Sequence, residues 1–398
     1  MFTPSKEILR NYALVMVDFA LGGGTGIKEK EVVYLQFDYP ALPLALEVYK
    51  RILEKNAYPI LKINDEAFSK LYYETAKDHQ LTFFPKKYSR SLVDTIDHRL
   101  YLMADRDPLY LRGADPRKIF LANQSSRLLK KWLFDKEDQG KMTWSLCLYG
   151  TAGMAKEAGI GEKEYWDEII RACFLDSSDP LKDWRQLFVD ANSIKQKLNQ
   201  MPIDKIHLQS KDTDLWINLG EKRKFNGLDG RNIPSFEIFT SPDWRGTNGR
   251  IYFDFPLYRY GNIIKNIHLE FKNGKVISTR ADKNENLLKQ MVKQKNADKV
   301  GEFSLTDKRF SRISRFMANT LFDENFGGLQ GNSHIALGSS YHDCFKGDPK
   351  TVTKREWCDL GFNESPEHTD IITTTARTVE VVLLNGIKKI IYQDGKYC

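Results

Sequence analysis

In the segment NESPEHTD, residues 363–370, a histidine and an aspartate stand two apart, His368 and Asp370, at the start of a run, IITTTARTVEVVLL, that reads as β-strand. Side chains two apart on a strand leave from one face, whereas on a helix they would diverge by about 200°. An imidazole and a carboxylate aimed at one point are donors suited to a divalent cation. Four more residues carry donor chemistry on strand-like segments: Glu237 in SFEIFTS, Glu302 in KVGEFSLT, His334 opening HIALG, and Tyr341 seven positions later. Taken singly, each has a plain reading. A glutamate alternating with apolar neighbours is the solvent-facing half of a two-faced strand, and a lone histidine beside an apolar strand is a packing residue. Tyr341 would fall on the opposite face of an unbroken strand, but the intervening GSS is turn chemistry, and a bend there returns it toward His334.

Together the six residues are three carboxylates, two imidazoles and one phenol. If one carboxylate bridges, they supply about seven bonds, against roughly eight to twelve positions on two ions of four to six coordination. The open positions admit water and substrate, which is what a hydrolase requires: metal-held water loses its proton near neutral pH, and the ions polarise the carbonyl under attack. Buried carboxylates need such a partner, because desolvation costs each charge several kcal/mol.

The elements that must position these residues follow from the rest of the chain. At 398 residues it exceeds the usual single-core limit of about 250–300, so two domains are expected. The first half alternates helix and strand: an opening helix over YALVMVDFAL with Thr3 and Pro4 as its cap and first turn, then EVVYLQF, LPLALEVYKRILEKNA and YPILKI. That order predicts an α/β domain with a mainly parallel sheet over residues 1–200. GGGTG leaves a helix and enters a strand, the reverse of a phosphate cradle, so it reads as a helix-ending turn. From about residue 203 the texture changes to strands, with Asn273-Gly274, Asn385-Gly386 and Asp394-Gly395 as hairpin signals. Residues 201–398 are therefore expected to form a C-terminal α+β domain, mostly antiparallel, that carries the metal site.

The 60 basic and 53 acidic residues leave +7 without a polybasic block, which gives no argument for nucleic acid. No run approaches the roughly 18 apolar residues of a membrane span, and Asp18 interrupts the one N-terminal stretch that could pass for a signal peptide. Five scattered cysteines, odd in number and without a CxxC pair, fit free thiols in a reducing cytoplasm.

Five ordered blocks carry a family resemblance: NIPSFEIFTSPDWRGTNG (232–249), VGEF (300–303), TLFDEN (320–325), NSHIALGSSY (332–341) and NESPEHTD (363–370). The chain resembles the thermophilic metalloaminopeptidases of the aminopeptidase T and aminopeptidase S type, with weaker similarity over the N-terminal half. The resemblance implies that Glu237, Glu302, His334, Tyr341, His368 and Asp370 hold the metals. It implies a two-metal aminopeptidase that removes the N-terminal residue from short peptides by metal-activated water, with zinc, cobalt or manganese as ions, and a cytoplasmic homodimer. Tyr341 is then a ligand or an oxyanion donor, and Glu324 of DEN stands beside Glu237 and Glu302 as a candidate to carry the proton to the leaving amine. Two departures concern specificity: Phe236 stands where a small residue is expected, and FGGLQGNS is longer than its counterpart. The alternatives are a non-peptidase metallohydrolase of small amides, and a non-catalytic metal- or partner-binding protein. Arg245 in DWRGTNG reads as an exposed loop residue and His342 as pointing away from Tyr341.

Overall fold

The computed structural model describes residues 2–259 and 261–398, which divide into two compact units. Unit 1 comprises residues 1–185 and 229–233; unit 2 comprises 186–228 and 234–398. The division falls inside the helix Pro180–Gln200, and a short strand, Asn232–Ile233, returns from later in the chain to the first sheet.

Unit 1 holds a wholly parallel sheet of β1 (Val32–Asp38), β2 (Tyr58–Asn64), β3 (His98–Met103) and β4 (Thr143–Leu148), closed by the returning strand, which is β7 in chain order. Its order is β2-β1-β3-β4-β7. The helix Leu42–Glu54 opens on a proline and buries Leu44, Ala45, Val48 and Ile52, spaced for one face, which gives the crossover between β1 and β2. The opening helix starts two residues later than its sequence suggests: Ser5, not Thr3, is the cap, its hydroxyl accepting from the Ile8 N–H at 3.2 Å. Asp18 is buried in a π-helical turn, Met16–Ala20, and takes a bidentate bond from Arg51 at 2.7 and 2.8 Å. An acid so held accounts for the charge inside that apolar stretch. Gly22 and Gly23 end this helical run at positive φ, as the turn reading of GGGTG expects.

Unit 2 is antiparallel. Its strands are β5 (Ile203–Ser210), β6 (Thr213–Asn218), β8 (Glu237–Thr240), β9 (Asp243–Phe253), β10 (Leu257–Arg259), β11 (Asn262–Ile264), β12 (Ile267–Lys272), β13 (Lys275–Arg280), β14 (Val300–Thr306), β15 (Asn332–Gly338), β16 (His368–Thr373), β17 (Thr378–Leu383), β18 (Lys388–Gln393) and β19 (Lys396–Tyr397). Eight form a large sheet, β13-β12-β9-β6-β5-β17-β18-β19, and four form a smaller one, β16-β15-β14-β8. The smaller sheet carries the candidate site. Every residue of β14 and of β15 is buried, so neither strand has a solvent-facing row. Glu302 on β14 and Glu237 on β8 are both buried, which overturns their solvent-facing reading. Arg245 lies on strand β9 rather than in a loop, paired with Asp243 at 2.6 Å. Among the described residues no helix is long and apolar enough to cross a membrane.

Candidate metal centre

Register places the donors on one face of the smaller sheet. Opposed residues of antiparallel strands share a face, and here Glu302 opposes Ala336, which opposes Asp370; Ser304 opposes both His334 and Phe239; Thr306 opposes Glu237; Gly338 opposes His368. Glu237, Glu302, His334, His368 and Asp370 therefore project together from four adjacent strands. Two glycines permit the register. A Cβ on Gly301 would lie 2.2 Å from the Ser339 carbonyl oxygen, and one on Gly338 would lie 2.1 Å from that of Glu367. Gly301 sits in the irregularity between Val300 and Glu302 that sets the phase of the glutamate.

The bend at GSS is pinned by the Ser339 N–H on the Glu367 carbonyl and the Ser340 N–H on the Asn363 carbonyl, each at 2.8 Å. Tyr341 then returns to the site, its ring centroid 4.7 Å from that of His368 and 5.8 Å from that of Phe239. His342 stacks instead on Trp357 at 3.9 Å, away from the donors.

The donor atoms converge closely. His334 Nε2 lies 3.1 Å from Glu237 Oε2, 3.1 Å from Glu302 Oε1 and 3.9 Å from Asp370 Oδ1. His368 Nε2 lies 3.6 Å from Glu302 Oε2 and 3.3 Å from Asp370 Oδ1. Two sets of three ligand atoms each fit within 4.8 Å, Glu237–Glu302–His334 and Glu302–His368–Asp370, and Glu302 belongs to both. Its two oxygens turn to different imidazoles. His368 Nδ1 is 2.9 Å from the Ser339 carbonyl, which places a proton on Nδ1 and turns Nε2 toward Glu302 and Asp370.

Glu324 caps the short helix Thr320–Asp323 and is buried, so it is part of the same acidic group rather than a loop residue at the surface. Asn325 ties this corner together, its Oδ1 accepting the Phe236 N–H at 2.6 Å and its Nδ2 donating to Glu324 Oε1 at 3.3 Å. Phe236 itself is fully buried. Ser304 donates to Glu237 Oε2 at 2.7 Å. Sequence reading passed over Asn325 and Ser304; the spacing of Ser304, two residues from Glu302 on a strand, was the available signal.

Electrostatics mark the face as short of positive charge. Burial first, then Glu237, pushes the Glu302 carboxyl up to about 7 against the opposing pull of His334. Burial raises Glu324 well above the carboxylate range, with Glu237 and Asp370 adding to it. Burial works against a charge on His368, yet Asp370 and Glu302 raise it to about 9; burial likewise opposes charge on His334, and Glu237 and Glu302 raise it well above its ordinary value. Asp370 is held down to about 2 despite its burial, chiefly by His368. Tyr341 is 42% exposed, while desolvation and then Glu302 and Asp370 raise its phenol well above the usual range. Four carboxylates on a buried face with two imidazoles fit hard and borderline divalent cations as counter-ions. The buried Nδ1 of His334, without a hydrogen-bond partner among the described residues, agrees with a histidine placed for something other than packing.

Comparison with known proteins agrees with this chemistry. The family model described as thermophilic metalloprotease (M29) matches residues 5–397. Aminopeptidase AmpS of Bacillus subtilis is 25% identical, over 98% of each chain. Aminopeptidase T of Thermus thermophilus is 26% identical over 73% of this chain and 74% of its own. The solved structure of wild-type AmpT from Thermus thermophilus superposes with a TM-score of 0.84 at 21% identity, covering 98% of this chain and 99% of that one, which shows a shared fold.

Proposed function

The chain belongs to the thermophilic metalloprotease family M29 and is a metalloaminopeptidase, and from that premise we propose a two-metal centre held by Glu237, Glu302, His334, Tyr341, His368 and Asp370. One observation carries the reading: Glu302 takes part in both donor sets, with Oε1 toward His334 and Oε2 toward His368. Glu302 would hold both ions, one together with Glu237 and His334 and the other together with His368 and Asp370. Bound divalent ions supply the missing countercharge, acidify water and polarise the scissile carbonyl.

The chain's own groups do the rest. Glu324, buried beside the donors, would take the proton from the attacking water and pass it to the leaving amine. Tyr341 presents its phenol beside His368, where it serves as the sixth donor or hydrogen-bonds the tetrahedral oxyanion. The free, neutral amine of a peptide N-terminus would be a further donor for one of the ions, which would select for an N-terminal residue. Zinc, cobalt and manganese all match oxygen and nitrogen donors. A homodimer acting on short peptides in the cytoplasm completes the proposal; the five cysteines, all unpaired, suit that compartment, and sedimentation equilibrium gives the assembly state.

The deciding assay compares leucyl-anilide with its N-acetylated form. Strong preference for the free amine is expected, and equal rates on both would favour a general amide hydrolase.

A further inference from the structure

We propose that Ser304 is a positioning residue for one half of the metal centre, its hydroxyl holding the Glu237 carboxylate in the orientation that receives an ion. The inference rests on the metal-binding reading above. Ser304 lies two residues beyond Glu302 on β14, and its pairing with His334 and Phe239 puts its side chain on the donor face. It is fully buried, between Phe303 and Leu305, which are also buried. A hydroxyl at such a place is unfavourable unless it is hydrogen-bonded. Its proton goes to Glu237 Oε2 at 2.7 Å, a charge-assisted bond.

That bond has a geometric consequence. Glu237 begins β8, and its carboxylate could rotate about its last torsion, which is broad for a glutamate. With Oε2 anchored by Ser304, the carboxylate plane is fixed beside His334, and Oε1 is left outside that bond. The other half of the centre does not depend on Ser304: His368 is oriented by the Ser339 carbonyl at 2.9 Å, and Asp370 lies 3.3 Å from His368. Loss of the hydroxyl should therefore act on one ion and spare the other.

The test is calorimetric titration of Mn²⁺ into the metal-stripped full-length protein. Wild type should show two binding steps. S304A should weaken one of them by about 10–100-fold, the usual cost of losing an outer hydrogen bond to a metal ligand, and leave the other step unchanged. S304T, which keeps a hydroxyl at that point, should restore the weakened step. Wild-type affinity for both ions in S304A, or equal weakening of both, would overturn the positioning role while leaving the two-metal reading in place. A wild-type protein that takes up no Mn²⁺ would overturn both.

Discussion

Each unit gathers a cluster of carboxylates, and the two clusters satisfy them differently. In unit 1 a cavity of about 160 Å³ lies at the C-terminal ends of β1, β2 and β3, lined by Asp38, Glu66 and Asp105. Asp38 accepts from the Tyr101 hydroxyl at 2.9 Å, the Ala104 N–H at 2.9 Å and the Asn64 amide at 3.3 Å; Glu66 accepts the Arg106 and Asp107 N–H groups at 2.5 and 3.1 Å. Asp105 is raised by burial and then by Asp38 and Glu66 to about 6, and burial raises Glu66 as well. In unit 2 four carboxylates share a buried face with one serine hydroxyl, one asparagine amide and two imidazoles. In the first cluster Asp38 and Glu66 are thus met by neutral donors. The second is left with carboxylates pressing on one another, which is the condition a pair of cations relieves. A cavity marks the first cluster, whereas unbalanced charge marks the second.

The largest expected contrast comes from neutralising one acid in each cluster. Glu302→Gln should remove the shared bridge and lower kcat/KM by about 10³-fold or more, since metal stabilisation of the transition state is worth several kcal/mol and each 1.36 kcal/mol is tenfold. Asp38→Asn should leave kcat/KM of leucyl-anilide unchanged. A similar loss from both would erase the distinction. Next, Glu324→Gln should reduce kcat by about 10²–10⁴-fold with metal content intact, the range for a group that moves a proton; loss of metal in this variant would make Glu324 a ligand instead.

Chelation should act on unit 2 alone. At free metal about 1,000 times Kd, binding contributes about 4 kcal/mol to stability. Stripping the ions should speed amide exchange in β14–β16 and leave β1–β4 as they were. Uniform change across both units would contradict a site confined to unit 2.

The smallest effect sharpens the unit 1 side. The folded pKa of Asp105, about 6, lies above its ordinary 3.8, so the folded state binds the proton more tightly. That contribution is full below the unfolded pKa and is lost as pH rises through about 6. Asp105→Asn should thus raise stability by about 1–2 kcal/mol at pH 8, a value discounted for partial exposure, and give no gain near pH 4. Thermal melts at the two pH values measure it.

The sequence made the strand-borne pair His368 and Asp370 legible because period two is a local property. It also showed the change from parallel α/β to antiparallel texture near residue 200. The burial of Glu237 and Glu302 was not legible singly. An acid flanked by apolar residues looks the same on a strand with one wet face as on one covered from both sides, and only the partner strands decide. The short strands β3 and β4 escaped notice among helical segments, β3 because it opens on His98 and Arg99, and without them the parallel sheet is incomplete. The return of Tyr341 depended on a bend that GSS allowed but could not specify.

Counting the ions is the most direct test of the central claim. Equilibrium dialysis of the stripped protein against excess Mn²⁺ should find two ions per chain in wild type and fewer than one in Glu302→Gln, because that residue serves both donor sets. One or no ion in wild type, or two retained after the substitution, would contradict a centre bridged by Glu302.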